Sequence, residues 1–299
     1  MKRIIFSILA ACTLSAFSAS AQALSSLLIP SDPETAAMAG ASVAMEAGAF
    51  AAENNAAAMS LSDNSFAVAA SYGLWAPQTA DNQLIGVGAF ARIGERLGLG
   101  ISGRYRMENP MDITSATGGI LGTFTPSEFG ANLAVSVKVI DGLSVGLTGK
   151  FVNSSIGEEL SGSAFGADVS VAWKGRALSA GAALCNLGSS VKYGDSSYAM
   201  PMLVKAGAAY SAAFGLTASV EADYLFSGAF MAGLGLEYNL FDIGFLRAGY
   251  HYGDRSEGLA SFASLGAGVR FAGFEVSAAW LTASPTLGNS LLFSLGYSF

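Results

Sequence analysis

The chain is poor in the side chains from which soluble enzymes build their sites. Only 12% of its 299 residues are charged, about half the usual share. It has one histidine and two cysteines. One histidine among unpatterned carboxylates falls short of a zinc signature and leaves no evident general base. A net charge of −7 offers no basic footprint, so no nucleic-acid partner is expected. After the amino-terminal leader there is no run of eighteen apolar residues, so no transmembrane helix is expected. Yet 52% of the chain is hydrophobic. An exported chain of that kind has one remaining way to cross lipid: a closed barrel whose backbone groups all pair between strands. The 37 glycines suit strands that bend and pack closely.

Export is written into residues 1–21. Lys2 and Arg3 form a basic start, Ile4 to Leu14 an apolar run, and Ala19-Ser20-Ala21 a small-residue cleavage site before Gln22. Leu9-Ala10-Ala11-Cys12 resembles a lipoprotein box, but only about eight apolar residues precede Cys12, the short limit for such a run. Cleavage after Ala21 is therefore the favoured processing. It leaves Cys185 as the sole cysteine, so no intramolecular disulfide is expected.

Past the leader, period two dominates the chain. From Ser290 to Phe299, Leu291, Phe293, Leu295, Tyr297 and Phe299 alternate with small residues, placing large apolar groups on one strand face. A final strand of this kind, closing on an aromatic residue, resembles the assembly signal of bacterial outer-membrane barrels. Roughly fourteen segments have the ten-residue length of a tilted spanning strand. They run 64–76, 83–93, 97–106, 127–139, 143–152, 162–173 and 177–187 in the first half. The second half holds 201–211, 214–226, 228–239, 242–252, 260–271, 273–282 and 290–299.

Short and long connections alternate, except for a short one at Ser227. That pattern implies tight periplasmic turns, longer extracellular loops, an even strand number and both termini inside. The expected fold is all-β: a transmembrane antiparallel up-and-down β-barrel of about fourteen strands over 64–299, with an amino-terminal hatch or plug over 22–63.

Charges on the lipid face would cost about 2–4 kcal/mol each near the midplane for Arg or Lys. The strand charges, from Arg92, Arg104, Arg106 and Glu128 through Lys138, Lys150, Asp168 and Lys205 to Glu221, Asp223, Glu237, Arg247, Arg270 and Glu275, are therefore assigned to the lumen. Both signs occur, so ion pairs rather than a single-sign filter are expected. Trp75, Tyr105, Trp173, Tyr210, Tyr250, Tyr252 and Trp280 lie near strand ends and suit interfacial girdles. Ser31 to Asp63 breaks the strand pattern. It is alanine-rich, with Met38, Val43, Met45, Phe50 and Met59, and so apolar a stretch is better placed inside the barrel mouth than in periplasmic water.

Two motifs in that segment carry a family resemblance. Ala36-Ala37-Met38-Ala39-Gly40-Ala41-Ser42-Val43-Ala44, followed by Glu53-Asn54-Asn55-Ala56-Ala57-Ala58-Met59, resembles the amino-terminal signature of PorV/PorQ-type proteins within the FadL-like group of outer-membrane barrels. The familiar pattern is Met-Gly-Gly-Ala and then Asn-Pro-Ala before the first strand. Here Ala39 replaces a glycine and Ala56 replaces the proline. The resemblance implies a fourteen-stranded barrel. For the PorV/PorQ branch it implies a non-enzymatic part in type IX protein secretion in Bacteroidetes-like bacteria, holding or docking cargo at the outer membrane. For the FadL branch it implies uptake of hydrophobic small molecules through a hatch and a gap in the wall. Expected partners are outer-membrane lipid and either secretion-machinery subunits and secreted cargo or a hydrophobic solute.

Chemical motifs are weak beside this. Gly98 to Gly103 matches a dinucleotide fingerprint but lies inside an alternating strand rather than at a strand-to-helix turn. Gly142-Leu-Ser-Val-Gly146 matches a nucleophile elbow but begins a strand, so Ser144 is not read as a nucleophile. His251, with Asp254 and Glu257 in the loop beyond, is read as a hydrogen-bonded lumen residue. Cys185 is read as a small packing residue. Asn153-Ser-Ser matches a glycosylation acceptor that presumes a eukaryotic secretory route. No catalytic, cofactor-binding or metal residue is assigned, and no cofactor is expected. The extracellular Met107–Pro126 stretch, with Ile113, Ile120, Leu121 and Phe124, is the leading docking surface.

Overall fold

The computed structural model describes residues 23–253 and 258–299; the leader, Cys12, Asp254 and Glu257 lie outside them. Eighteen strands occur in this range. The first nine are β1 Phe66–Trp75, β2 Asn82–Ile93, β3 Leu97–Met107, β4 Met111–Thr114, β5 Ile120–Phe124, β6 Ser127–Ile140, β7 Leu143–Gly157, β8 Leu160–Lys174 and β9 Leu178–Gly188. The rest are β10 Val191–Tyr193, β11 Ser196–Tyr198, β12 Leu203–Ser211, β13 Leu216–Leu225, β14 Phe230–Leu240, β15 Gly244–Tyr252, β16 Phe262–Phe271, β17 Phe274–Ser284 and β18 Gly288–Ser298.

Fourteen of them form one closed antiparallel barrel in sequence order. Its seam joins β1 to β18, from Ala67↔Ser298 to Leu74↔Leu291. Each of the fourteen segments expected from alternation holds one barrel strand. The remaining four make two small hairpins, β4–β5 and β10–β11, outside the barrel. They correct the expectation that the Met107–Pro126 and Gly188–Met200 connections are loops. The β7–β8 hairpin corrects it too, staying paired to Gly157↔Leu160 where alternation implies a loop over 153–161. Beyond the lipid the serine- and asparagine-rich chain carries no apolar alternation, but side-chain bonds such as Asn153 Nδ2 to Ser163 Oγ (3.0 Å) extend the ladder.

The two faces separate as the alternation requires. On β13, Val220 is 52% exposed toward lipid, while its neighbour Glu221 is 2% exposed in the lumen. Inside, ion pairs join Arg106 to Glu108, Lys150 to Asp168, Lys205 to Glu221 and Arg270 to Glu275. The lumen is laced with both signs, as the composition implies.

Residues 23–62 fill the barrel as a plug of short pieces. A 3-10 turn, Ser25–Leu28, leads to a helix, Pro33–Ala37, with Pro at its start. Asp32 caps that helix by accepting from Thr35 N at 2.8 Å. A second helix, Ala51–Asn54, precedes a 3-10 turn, Ala56–Leu61. Asn55 caps this turn through Ala57 N at 3.0 Å, so the local turn survives without the family's proline. Ala39, standing where the family has glycine, adopts φ 58°, a left-handed conformation that costs an L residue about 1–2 kcal/mol. The wall meets the plug through glycine. A Cβ on Gly233 would stand 2.5 Å from the Ala39 carbonyl oxygen, and one on Gly88 2.6 Å from that of Ala49.

Candidate functional site

At the outer mouth, the start of the plug is strapped under β10–β11. Ala23 N donates to Ala199 O at 3.1 Å, and Leu24 is buried in a cluster with Val152, Val191, Tyr193 and Met200. The Ser26 hydroxyl bonds the Glu128 carboxylate, and Arg104 Nη2 donates to Ser26 O at 2.6 Å. The plug therefore begins at the extracellular end of the wall. It finishes at the periplasmic end, where Ser65 N and Phe66 N donate to the Phe299 carbonyl.

Beside this sealed mouth stands β4–β5, a two-stranded sheet that pairs with no other strand. It holds Met111, Ile120 and Leu121 at 52%, 66% and 72% exposure. The only charged residue between Met111 and Phe124 is Asp112. A lone two-stranded hairpin is marginal in water.

Polar clamps fix the plug at several depths. Glu221 Oε2 accepts from Ser42 N at 2.8 Å and Val43 N at 2.6 Å, while Lys205 Nζ lies 2.7 Å from Oε1. Arg247 reaches Glu237 at 2.7 Å, Glu275 at 3.5 Å and Glu34 of the plug at 3.8 Å. At the periplasmic rim Lys174 binds Glu46 at 2.7 Å and Asp63 at 2.9 Å.

Burial pushes the Asp32 carboxyl of the plug up, against its bonds from Thr35. Loss of hydration pushes Glu34 up to about 8, with Arg247 opposing and the Glu275 and Asp32 carboxylates adding. Glu34 keeps 44% of its side chain open, so its carboxylate neighbours are the firmer reason for that direction.

Several cavities flank the plug. One of about 370 Å³ is lined by Met45, Glu46 and Leu61 of the plug with Lys174 and Arg176 of the wall. Another, about 300 Å³, is lined by Glu34, Glu237, Arg247, Arg270 and Glu275 among others. A smaller one, about 90 Å³, is lined by Lys150, Lys205, Asp223 and His251 together with Leu203 and Phe262. Thr35, Ser42 and Asn54 border the last two, forming a polar septum. The wall keeps its register at mid-height except at β8–β9, where pairing shifts between Ala167 and Val169. Asn186 there takes φ 60° and is filled in from the lumen by Asp168, which accepts from Asn186 N at 2.7 Å.

The residues singled out by motif are dispersed. Gly98 to Gly103 lie in β3, and Ser144 sits at the start of β7 with its hydroxyl on Ala57 O. His251 Nδ1 lies 3.1 Å from Ala39 O, its ring stacked on Phe262. Cys185 is buried in the lumen wall. Among the described residues no cluster of three or more His, Cys, Asp or Glu could hold a metal ion. The strap at Ala23–Leu28 carries no motif, and the Glu221 clamp closes on Ser42 and Val43 of the first family motif from a wall residue outside it. The apolar Leu24, Leu27, Leu28 and Ile29 were the available signal for the first, and an inward glutamate on β13 for the second.

Comparison with known proteins places this geometry. The family model described as "Type IX secretion system protein PorV" matches residues 16–223. No curated protein matches the chain. Among solved structures, the toluene transporter TbuX of Ralstonia pickettii superposes with a TM-score of 0.68 at 12% identity, over 91% of this chain and 99% of that one. The toluene transporter TodX of Pseudomonas putida gives 0.68 at 13% identity, over 88% and 96%. A Pseudomonas aeruginosa FadL homologue gives 0.61 at 14%, over 91% and 99%. At such identities these neighbours speak for the fold alone.

Proposed function

The chain belongs to the PorV family of type IX secretion system proteins, and from that premise we propose that it is a non-enzymatic outer-membrane docking barrel for secreted cargo or for subunits of the secretion machinery. The family match over 16–223 carries the secretion role. The β4–β5 hairpin supplies a surface for it: exposed, apolar, nearly uncharged and standing clear of the wall. Below it the lumen is occupied by the clamped plug. Docking at the outer mouth asks nothing of the lumen, whereas passage would have to displace the plug and its ion pairs.

Uptake of a hydrophobic solute is the competing role, supported by the fold shared with the toluene transporters. It calls for an apolar pocket under the loops and a gap in the wall. The cavities beside the plug are each bordered in part by charged groups, and the mid-wall irregularity at β8–β9 is filled by Asp168 and Asn186.

The deciding experiment is crosslinking in native outer membrane, with mass spectrometry of bound proteins and of lipids extracted from the purified barrel. Recovery of secreted proteins or envelope subunits, lost when 111–124 is replaced by a short Gly-Ser turn, is the expected result. A stoichiometric fatty or aromatic molecule without any protein partner would transfer the chain to the uptake role.

A further inference from the structure

The cavity of about 90 Å³ on the outer side of the plug is divided by chemistry. Leu28, Leu203, Met231, Leu259 and Phe262 line one part; Ser42, Lys205, Asp223 and His251 line the other. Buried side-chain polar atoms nearly always have a partner. Here Ser42 Oγ, Asp223 Oδ1 and His251 Nε2 have no hydrogen-bond partner among the described residues, and all three residues border this one cavity. Ser42 is 7% exposed and His251 4%, so bulk water does not serve them.

The cations around the cavity are already engaged. Lys150 holds Asp168 and Asn186, Arg104 holds Glu53 and two plug carbonyls, and Lys205 holds Glu221. The three cations are thus paired with Glu53, Asp168 and Glu221, and the fourth carboxyl group, Asp223, has no ion pair of its own among the described residues. What the cavity has to spare is acceptor capacity, concentrated on Asp223 and Ser42, opposite an apolar floor. At about 30 Å³ per liquid water, its volume equals roughly three waters, or a chain of about five non-hydrogen atoms.

We propose that this cavity binds a small primary ammonium compound with a short apolar tail. Its N–H groups donate to Asp223 and Ser42, and its tail lies against Leu203 and Phe262. Such binding is independent of docking at the outer hairpin, and loss of either leaves the other standing.

The test is isothermal titration of the purified full-length barrel in detergent with n-butylammonium chloride, beside n-butanol and sodium chloride. Saturable binding of the amine alone is expected. Affinity should fall roughly tenfold or more in Asp223→Asn, as for loss of a charged hydrogen bond, and fall also in Ser42→Ala. Folding of both variants is read from migration in unheated electrophoresis, and Ser42→Ala carries the comparison should Asp223→Asn fail to assemble. Equal binding of n-butanol, unchanged affinity in a folded Asp223→Asn barrel, or no saturable heat would each overturn the assignment. The last outcome would mean that the cavity holds water only.

Discussion

Gly233 and His251 are register partners on adjacent strands, and between them they decide where the plug's left-handed turn can sit. The Ala39 carbonyl lies against the bare Cα of Gly233 and within 3.1 Å of His251 Nδ1. Gly233→Ala is expected to force that carbonyl away, at the about 1–3 kcal/mol typical of overpacking. Faster hydrogen exchange across residues 36–45, with the barrel intact, would record it. Ala39→Gly should be tolerated, because relief of the left-handed backbone offsets the about 0.8 kcal/mol lost with one buried carbon. Glu221→Gln is expected to loosen the amides of Ser42 and Val43, since a neutral amide oxygen replaces the charged Oε2 that accepts from both and an NH2 group replaces the Oε1 that faces Lys205. A loss of about 1–3 kcal/mol would appear as lost protection at those two amides. Of these residues only the inward orientation of Glu221 and His251 was legible in the sequence. Alternation states the face of a strand residue, whereas its contact depends on a plug segment with no period of its own.

Among elements, the Pro33–Ala37 helix is held by a cluster whose charge depends on pH. Glu34 is raised from the ordinary carboxylate value of 4.5 to about 8 by lost hydration and its acidic neighbours. A raised carboxyl stabilises the docked helix in its protonated form; that stability is complete below 4.5 and lost as pH rises through about 8. Exchange protection of 33–38 should therefore decline between pH 5 and pH 9, and Glu34→Gln should flatten the decline. Equal protection at both ends of that range would refute it. The barrel strands were readable because lipid on one side and a packed lumen on the other impose period two along most of their length. The β4–β5 and β10–β11 hairpins were not, because outside the bilayer nothing enforces that period; their few apolar residues read equally well as loop.

For the molecule as a whole, closure depends on one seam. The last residue takes part in it: Phe299 N donates to Phe66 O, and Phe299 O accepts from Ser65 N and Phe66 N. Its ring lies 5.7 Å from that of Phe66. Deleting Phe299 is expected to remove these bonds at the periplasmic end of the seam and to lower the fraction of heat-modifiable barrel in the outer membrane. Unchanged assembly would show that β1 and β18 close without it.

The route of the plug also sets an order in time. Its strapped end lies at the extracellular mouth and its tethered end beside the seam. Once β1 and β18 are zipped, the segment from Ala23 to Ser62 would have to thread a ring already narrowed by inward side chains. The wall is better wrapped around a plug already lying along it, so the segment that precedes the strands in sequence serves as the mandrel on which they are wound.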